Sequence, residues 1–225
     1  MLQPQSTALL SYQDVSIEMG GTVLFAPLSF EVHQAELVVL SAPAGGGKSS
    51  ALRASIGAVQ LASGRVMCLG HNLAKLRPKE LLSLRTQIGY VPATGGLLSN
   101  LSLYDNLTLL LRYPGDLSRD EIDRRAEQAC EDLGLEHLRG RSTSDADQQD
   151  LHLVAIARAW LTRPPLLILD DPDLQLDDES TRELWARLTA LRQRHDVAML
   201  VGTSRPEMAL KHGGQHLSLC SAEDP

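Results

Sequence analysis

The N-terminal part of the chain alternates short apolar runs with turn signals. Apolar and β-branched side chains dominate residues 8–18, 23–32 and 36–42, and a Met-Gly-Gly-Thr turn at residues 19–22 separates the first two runs. Runs of this length, interrupted by glycine pairs, are typical of strands. They predict a largely antiparallel β-layer.

Helical spacing replaces this pattern further along. Apolar residues recur at 3.6-residue spacing over residues 104–112, 119–133 and 151–162, which predicts a helical subdomain over residues 97–163. After Pro164 and Pro165, the run Leu166-Leu167-Ile168-Leu169 predicts a buried strand, residues 179–194 a helix and residues 197–201 another strand.

We therefore expect one α/β domain over residues 1–225. Its mixed or parallel sheet has flanking helices, and residues 1–96 and 164–225 form this core together with the β-layer. Residues 97–163 form the helical subdomain.

A glycine-rich loop joins the strand at residues 36–41 to a helix predicted over residues 51–59. Strand, glycine loop and helix are the context of a P-loop, in which main-chain N–H groups and the helix N-terminus bind phosphate. The proposed phosphate-binding residues are Ala44, Gly45, Gly46, Gly47, Lys48, Ser49 and Ser50. The loop departs from the usual P-loop only at its start, where Ala42 replaces glycine.

Two oxygen-bearing side chains predict a Mg²⁺ site beside this loop. Ser49 supplies a hydroxyl, and Asp170 follows the apolar strand at residues 166–169, so that its carboxylate lies at the strand tip. Mg²⁺ prefers such ligands and shares them with phosphate oxygens, whose charge Lys48 would neutralise.

The composition argues against several classes of protein. The net charge is -7, which offers no general attraction for nucleic acid, so no nucleic-acid partner is expected. Three widely spaced cysteines without a CxxC pair argue against a disulfide framework or zinc site. No apolar run reaches membrane-spanning length, and the N-terminus lacks the pattern of a signal peptide.

The chain resembles the ATPase subunits of ABC transporters over essentially its whole length. The stretches that carry the resemblance are APAGGGKSS (Walker A), IGYVPATGGLLSNLSLYDNL (Q-loop region), VAIARAW (the helix after the signature), LLILDDP (Walker B) and DLQLDDEST (D-loop). Within the family, GGLLSNLSLYDNLTLLLRY looks most like the subunits that energise MCE-type lipid transport across the envelope.

The resemblance implies cofactors, partners and a location. It implies that the chain binds ATP and Mg²⁺ and works with integral membrane permease subunits and a second nucleotide-binding subunit, in a homodimer or a heterodimer. Its location would be the cytoplasmic face of the inner membrane. A coupling helix of the permease would dock near residues 93–110, with a lining of Leu97, Leu98, Leu101, Leu103 and Leu107. These leucines alternatively form a plain subdomain core.

Several family residues are replaced. Asp171 stands where the family has its catalytic glutamate, and a carboxylate shorter by one methylene can cost on the order of 100-fold in a positioned proton transfer. Ala93 replaces the Q-loop glutamine, Ser204 the H-loop histidine, and Met19 the aromatic residue that stacks on adenine.

The signature loop departs furthest from the family. Alignment on residues 154–160 places Ala-Asp-Gln-Gln-Asp at residues 146–150, where the family has Leu-Ser-Gly-Gly-Gln. Asp145, Asp147 and Asp150 would then repel the phosphates held by a partner subunit. Alternatively, these aspartates cap a helix and line a solvated loop.

Two functions are consistent with these residues. One is a degenerate subunit that binds nucleotide, with weak or absent hydrolysis. The other is an active ATPase that powers a permease with Asp171 as catalytic base. A different P-loop enzyme, such as a small-molecule kinase, would have no use for the VAIARAW helix or the D-loop-like segment.

Overall fold

The computed structural model describes residues 8–112, 116–138 and 140–220. Within these residues, eleven strands follow one another in chain order: β1 Leu10–Ser16, β2 Glu18–Met19, β3 Thr22–Val23, β4 Leu28–Val32, β5 Leu37–Ser41, β6 Ser63–Cys68, β7 His71–Asn72, β8 Ile88–Val91, β9 Leu166–Asp170, β10 Ala198–Gly202 and β11 Gln215–Ser218. The α-helices are α1 Lys48–Ala54, α2 Pro78–Arg85, α3 Leu103–Arg112, α4 Arg119–Leu133, α5 Gln148–Trp160, α6 Asp178–His195 and α7 Pro206–Leu210.

A five-stranded parallel sheet forms the centre of the fold, in the order β11-β5-β10-β9-β8. Strands β9 and β10 are buried along their whole length, as expected of apolar strands covered on both faces. A four-stranded antiparallel sheet, β4-β1-β6-β7, packs as a second layer. The strand at residues 36–42 therefore belongs to the parallel sheet and not to the antiparallel β-layer.

Alternate residues of the parallel strands face two different cores, because successive side chains in a strand point to opposite faces. Leu167 and Leu169 pack with the helices α3 to α7, whereas Leu166 and Ile168 pack with α1 and the antiparallel sheet. The helices of residues 97–163 share the first core with the sheet. The division of the domain at residues 97 and 163 stays a prediction.

Helix α4 agrees with the sequence prediction, whereas α1 and α5 begin at earlier residues than predicted. Helix α4 has the predicted bounds: the Ser118 hydroxyl caps its N-terminus and Gly134, with a positive φ, ends it. Helix α1 begins at Lys48, three residues before its predicted start, and ends at Ala54, well before residue 59. Helix α5 also begins three residues early, since Asp147 caps it at that point.

A buried carboxylate joins the ends of three helices. Asp132, whose side chain is 1% exposed, accepts hydrogen bonds from Trp160 Nε1 at 2.9 Å and His195 Nε2 at 3.2 Å. Its ion pairs with Arg163 and Arg194 measure 2.9 Å and 3.3 Å. Burial by itself raises the pKa of Asp132, but the hydrogen bonds from Trp160 and His195 and the charge of Arg163 bring it below its ordinary value.

We expect Asp132→Ala to lower the free energy of unfolding by about 2 kcal/mol, because it leaves the buried Trp160 N–H without an acceptor and removes the ion pairs to the more exposed Arg163 and Arg194. A carboxyl with a lowered pKa stabilises the fold above its unfolded pKa, and this stability is lost as the pH falls through the folded pKa. The difference in the free energy of unfolding between wild type and Asp132→Ala should therefore be largest at neutral pH, and it should shrink as the pH falls below about 4. Urea denaturation at several pH values measures it.

The matched control is Glu131→Ala, which removes a carboxylate from the exposed side of the same helix. We expect it to change stability by no more than about 0.5 kcal/mol. Equal effects of the two substitutions would contradict the stabilising role of Asp132.

Candidate functional site

The glycine loop follows β5 and leads directly into α1. Gly47 caps the helix with a φ of 83°, and the Gly46 N–H donates to the Pro43 carbonyl at 2.9 Å, which closes the turn. A Cβ on Gly47 would lie 2.7 Å from Phe25, so this position excludes any larger residue on steric grounds as well. Ala42 does not have a positive φ. The alanine that stands in place of the usual glycine therefore causes no backbone strain.

A cavity of about 380 Å³ opens above this loop. Its wall contains every predicted phosphate-binding residue from Ala44 to Ser50, together with Asp171 and Ser204. Met19, on the short β2–β3 hairpin, lines the same cavity and is 56% exposed. The cavity has the position expected of a ligand site in a parallel sheet, at the carboxyl ends of the strands.

The predicted metal ligands lie together. The Ser49 hydroxyl donates to Asp170 Oδ1 at 3.0 Å, and Asp170, the last residue of β9, is 4% exposed. Burial raises the pKa of Asp170; the hydrogen bond from Ser49 lowers it, and the charge of Asp171 raises it again. A hydroxyl and a carboxylate in contact at a phosphate loop are a donor set that suits Mg²⁺.

Lys48 is held by groups from two other strand ends. Its Nζ donates to Asp171 Oδ1 at 2.6 Å and to Ser204 Oγ at 2.9 Å. The Ser204 N–H also donates to Asp171 Oδ1, at 3.0 Å. Asp171 has a φ of 44° and its own N–H bonds the Gly202 carbonyl at 2.7 Å. The predicted catalytic carboxylate is thus paired with the P-loop lysine.

The sequence prediction did not include Arg53 and Gly202, which contribute to the site, or Leu24, which lines the cavity. Arg53 lines the cavity, and its four-residue spacing from Ser49 on α1 places both on one helix face, which could have predicted it. Gly202 ends β10, and a Cβ there would lie 2.8 Å from Lys48 Cγ. A glycine that ends a buried strand is a signal of such a close approach.

The aspartates near the start of α5 do not act as one repulsive group. Asp147 accepts a hydrogen bond from the Asp150 N–H at 2.8 Å and caps the helix. Asp150 is 6% exposed and pairs with His137 at 3.0 Å and Arg141 at 3.4 Å. The expectation that Asp150 adds to the repulsion of phosphate is therefore corrected, because its charge is compensated within the chain.

The predicted leucine lining is also corrected. Leu103 and Leu107 are 2% and 4% exposed and belong to the core of the helices, so they cannot line a groove. Leu97 and Leu101 are half-buried, and only Leu98, 46% exposed, presents a large apolar surface. Ala93, at the Q-loop position, is half-buried.

Comparison with known proteins defines the class. Residues 25–174 match the family model described as ABC transporter. The probable amino-acid ABC transporter ATP-binding protein y4tH of Sinorhizobium fredii is 30% identical over 213 residues, which cover 91% of this chain and 83% of that protein. The chain therefore belongs to the ABC transporter family of ATP-binding proteins.

Other relatives differ in the roles that their names give and in length. The cell division ATP-binding protein FtsE of Escherichia coli K12 is 28% identical over 88% of this chain and 92% of its own length. The Nod factor export ATP-binding protein I of Cupriavidus pinatubonensis is 31% identical over 84% of this chain. This chain spans only 56% of that protein, and 52% of a molybdate/tungstate import protein from Pyrococcus abyssi.

Solved structures have the same fold. The dimeric structure of MJ0796, a bacterial ABC transporter cassette, superposes with a TM-score of 0.83 at 23% identity, over 94% of each chain. The protein cbiO1 of Clostridium perfringens, part of the complex cbiONQ, gives 0.85 at 22% identity, over 95% of this chain and 85% of that one. The fold class predicted from the sequence is confirmed.

We expect Gly47→Ala to destabilise the chain more than Gly45→Ala. Both glycines have a positive φ, which costs an alanine about 1 kcal/mol. A Cβ at residue 45 meets nothing within 4 Å, whereas one at residue 47 collides with Phe25, and overpacking adds about 1–3 kcal/mol. Denaturant unfolding measures the difference, and equal losses would contradict the steric account.

Proposed function

We propose that this chain is the ATP-binding subunit of an ABC-type membrane transport complex in which hydrolysis is weak or absent. The main-chain amides of Gly45 to Gly47 and the Lys48 ammonium would bind the phosphates, and Ser49 and Asp170 would hold Mg²⁺. The metal would supply charge neutralisation at the phosphate oxygens. One observation carries the proposal: the phosphate loop is fully formed, while the groups that would activate water are replaced or engaged.

The engagement of Asp171 supports weak hydrolysis. A general base must accept a proton from water, but Asp171 Oδ1 already accepts hydrogen bonds from Lys48 and the Ser204 N–H. Its side chain is 15% exposed. Ser204 has no basic nitrogen with which to replace the family histidine, and Ala93 has no polar side chain at all.

We expect phosphate release from Mg-ATP to be the same for the wild-type chain and for Lys48→Ala, while only the wild type binds nucleotide in a calorimetric titration. Removal of the ammonium leaves the phosphates without their main cationic partner in the chain. Lys79→Ala, which removes an exposed lysine on α2, is the control and should bind as the wild type does.

The alternative function is an active ATPase with Asp171 as catalytic base. The observation in its favour is that Asp171 keeps a carboxylate in the wall of the cavity. Phosphate release that Lys48→Ala and Asp171→Ala both abolish would establish this alternative and refute weak hydrolysis.

We also propose a membrane partner and a docking surface for it. No helix within residues 8–112, 116–138 and 140–220 is long and apolar enough to cross a bilayer. A second, apolar cavity of about 520 Å³ lies between α2, β8 and the ends of α3 and α5. Leu82 and Leu110 in its wall are 63% and 49% exposed. Exposed apolar surface of this kind favours a permease helix as its occupant, on the cytoplasmic face of the inner membrane.

We expect Leu82→Glu combined with Leu110→Glu to release the chain from the membrane fraction of its native cells. A charge in an apolar contact must be desolvated without a partner. Val23→Glu is the control, because this side chain on β3 is 40% exposed and lies outside the cavity. Fractionation followed by quantitative blotting measures the distribution. Equal release by the control would argue against this surface.

A second nucleotide-binding subunit and a lipid cargo complete the proposal. The exposed Asp145 and Asp147 disfavour a partner's phosphates at the start of α5, which favours pairing with a subunit that has an intact signature loop. The likeness of residues 95–113 to subunits of MCE-type lipid transporters is the basis for proposing envelope lipid as the cargo.

A further inference from the structure

The P-loop lysine has an anionic partner within its own chain. The side chains of Lys48 and Asp171 are 10% and 15% exposed, and their charged atoms are 2.6 Å apart. An ion pair so far removed from solvent is weakly screened. Any anion that binds to Lys48 must therefore act against the charge of Asp171.

The carboxylate has little freedom to move away. The Asp171 N–H is bonded to the Gly202 carbonyl at 2.7 Å, and its Oδ1 accepts from the Ser204 N–H at 3.0 Å. Gly202 is the last residue of β10, which pairs with β9 in the centre of the sheet, and Ser204 follows it by two residues. The Asp171 backbone is therefore bonded to a central strand and its carboxylate to the segment directly after that strand, which keeps the carboxylate beside the ammonium.

Lys48 can donate a hydrogen bond more easily to the β-phosphate of a nucleotide than to its γ-phosphate. An ammonium has three N–H donors, and Asp171 and Ser204 accept from two of them. The third donor, with the main-chain amides of the glycine loop, can serve a β-phosphate while the pair stays formed. A γ-phosphate also needs the lysine and brings further negative charge towards Asp171, which repels it.

We propose that Asp171 sets the nucleotide preference of the chain: its carboxylate competes with a γ-phosphate for Lys48, so that nucleoside diphosphate binds at least as tightly as triphosphate. This inference rests on the proposed function, because it requires that the glycine loop binds nucleotide. Asp171 then acts as a specificity-determining residue through its charge.

The test compares dissociation constants for Mg-ADP and for the Mg²⁺ complex of the non-hydrolysable β,γ-imido analogue of ATP. Isothermal titration of the full chain is done for the wild type, Asp171→Asn and Asp171→Ala. We expect both variants to bind the triphosphate analogue at least about tenfold more tightly than the wild type, and ADP by less than about threefold more tightly. Asn retains the shape of the side chain and Ala removes it, so a folding defect in one leaves the other as the test.

The control is Asp120→Asn, which removes one negative charge from the exposed first turn of α4, outside the cavity. It should leave both dissociation constants unchanged. Thermal unfolding of each variant shows that it is folded before titration.

Three outcomes would overturn the inference. A wild-type chain that binds the triphosphate about tenfold more tightly than ADP, or variants that tighten both nucleotides equally, would refute the role of Asp171 and leave the proposed nucleotide binding intact. A wild-type chain that binds neither nucleotide would refute both the inference and the proposed function.

Discussion

Parallel pairing of three central strands creates the candidate site. Strands β5, β10 and β9 run in the same direction, and Gly202 is in register with Leu40 on one side and Asp170 on the other. Their carboxyl ends therefore meet at one edge of the sheet, where the glycine loop, the two aspartates and Ser204 come together. A slip of one residue would exchange the faces of these strands, and the two apolar cores that they fill make such a slip costly.

The parts of the site that the sequence predicts have local signals. Three glycines before Lys48 need no distant partner to be recognised, and an apolar run that ends in Asp170 indicates a strand tip. Helix α4 has the bounds that the apolar spacing predicts, and a capping serine and a terminal glycine next to it in the chain set those ends. Local signals fail where a loop and a helix merge, and for this reason the start of α1 was placed three residues too late.

The rest depends on contacts between residues far apart in the chain. The inward orientation of Asp150 follows from its pairing with Arg141, and a list of acidic residues in a loop contains no information on which of them face inward. The burial of Leu103 and Leu107 has the same origin, since it requires knowledge of which helices cover α3. Edge strands such as β8 and β11 were not predicted, because the pairing that defines them brings together distant segments.

The pair formed by Lys48 and Asp171 links folding to binding. A buried ammonium without a counter-charge is unfavourable, so Asp171 stabilises the folded chain by compensating Lys48. Under the proposed competition, the same contact would oppose a triphosphate, whose γ-phosphate would add negative charge beside Asp171. Burial lowers the local dielectric. A lower dielectric strengthens both the attraction between Lys48 and Asp171 and the repulsion between Asp171 and a γ-phosphate. A chain with this ion pair can therefore keep its phosphate loop folded before any ligand binds.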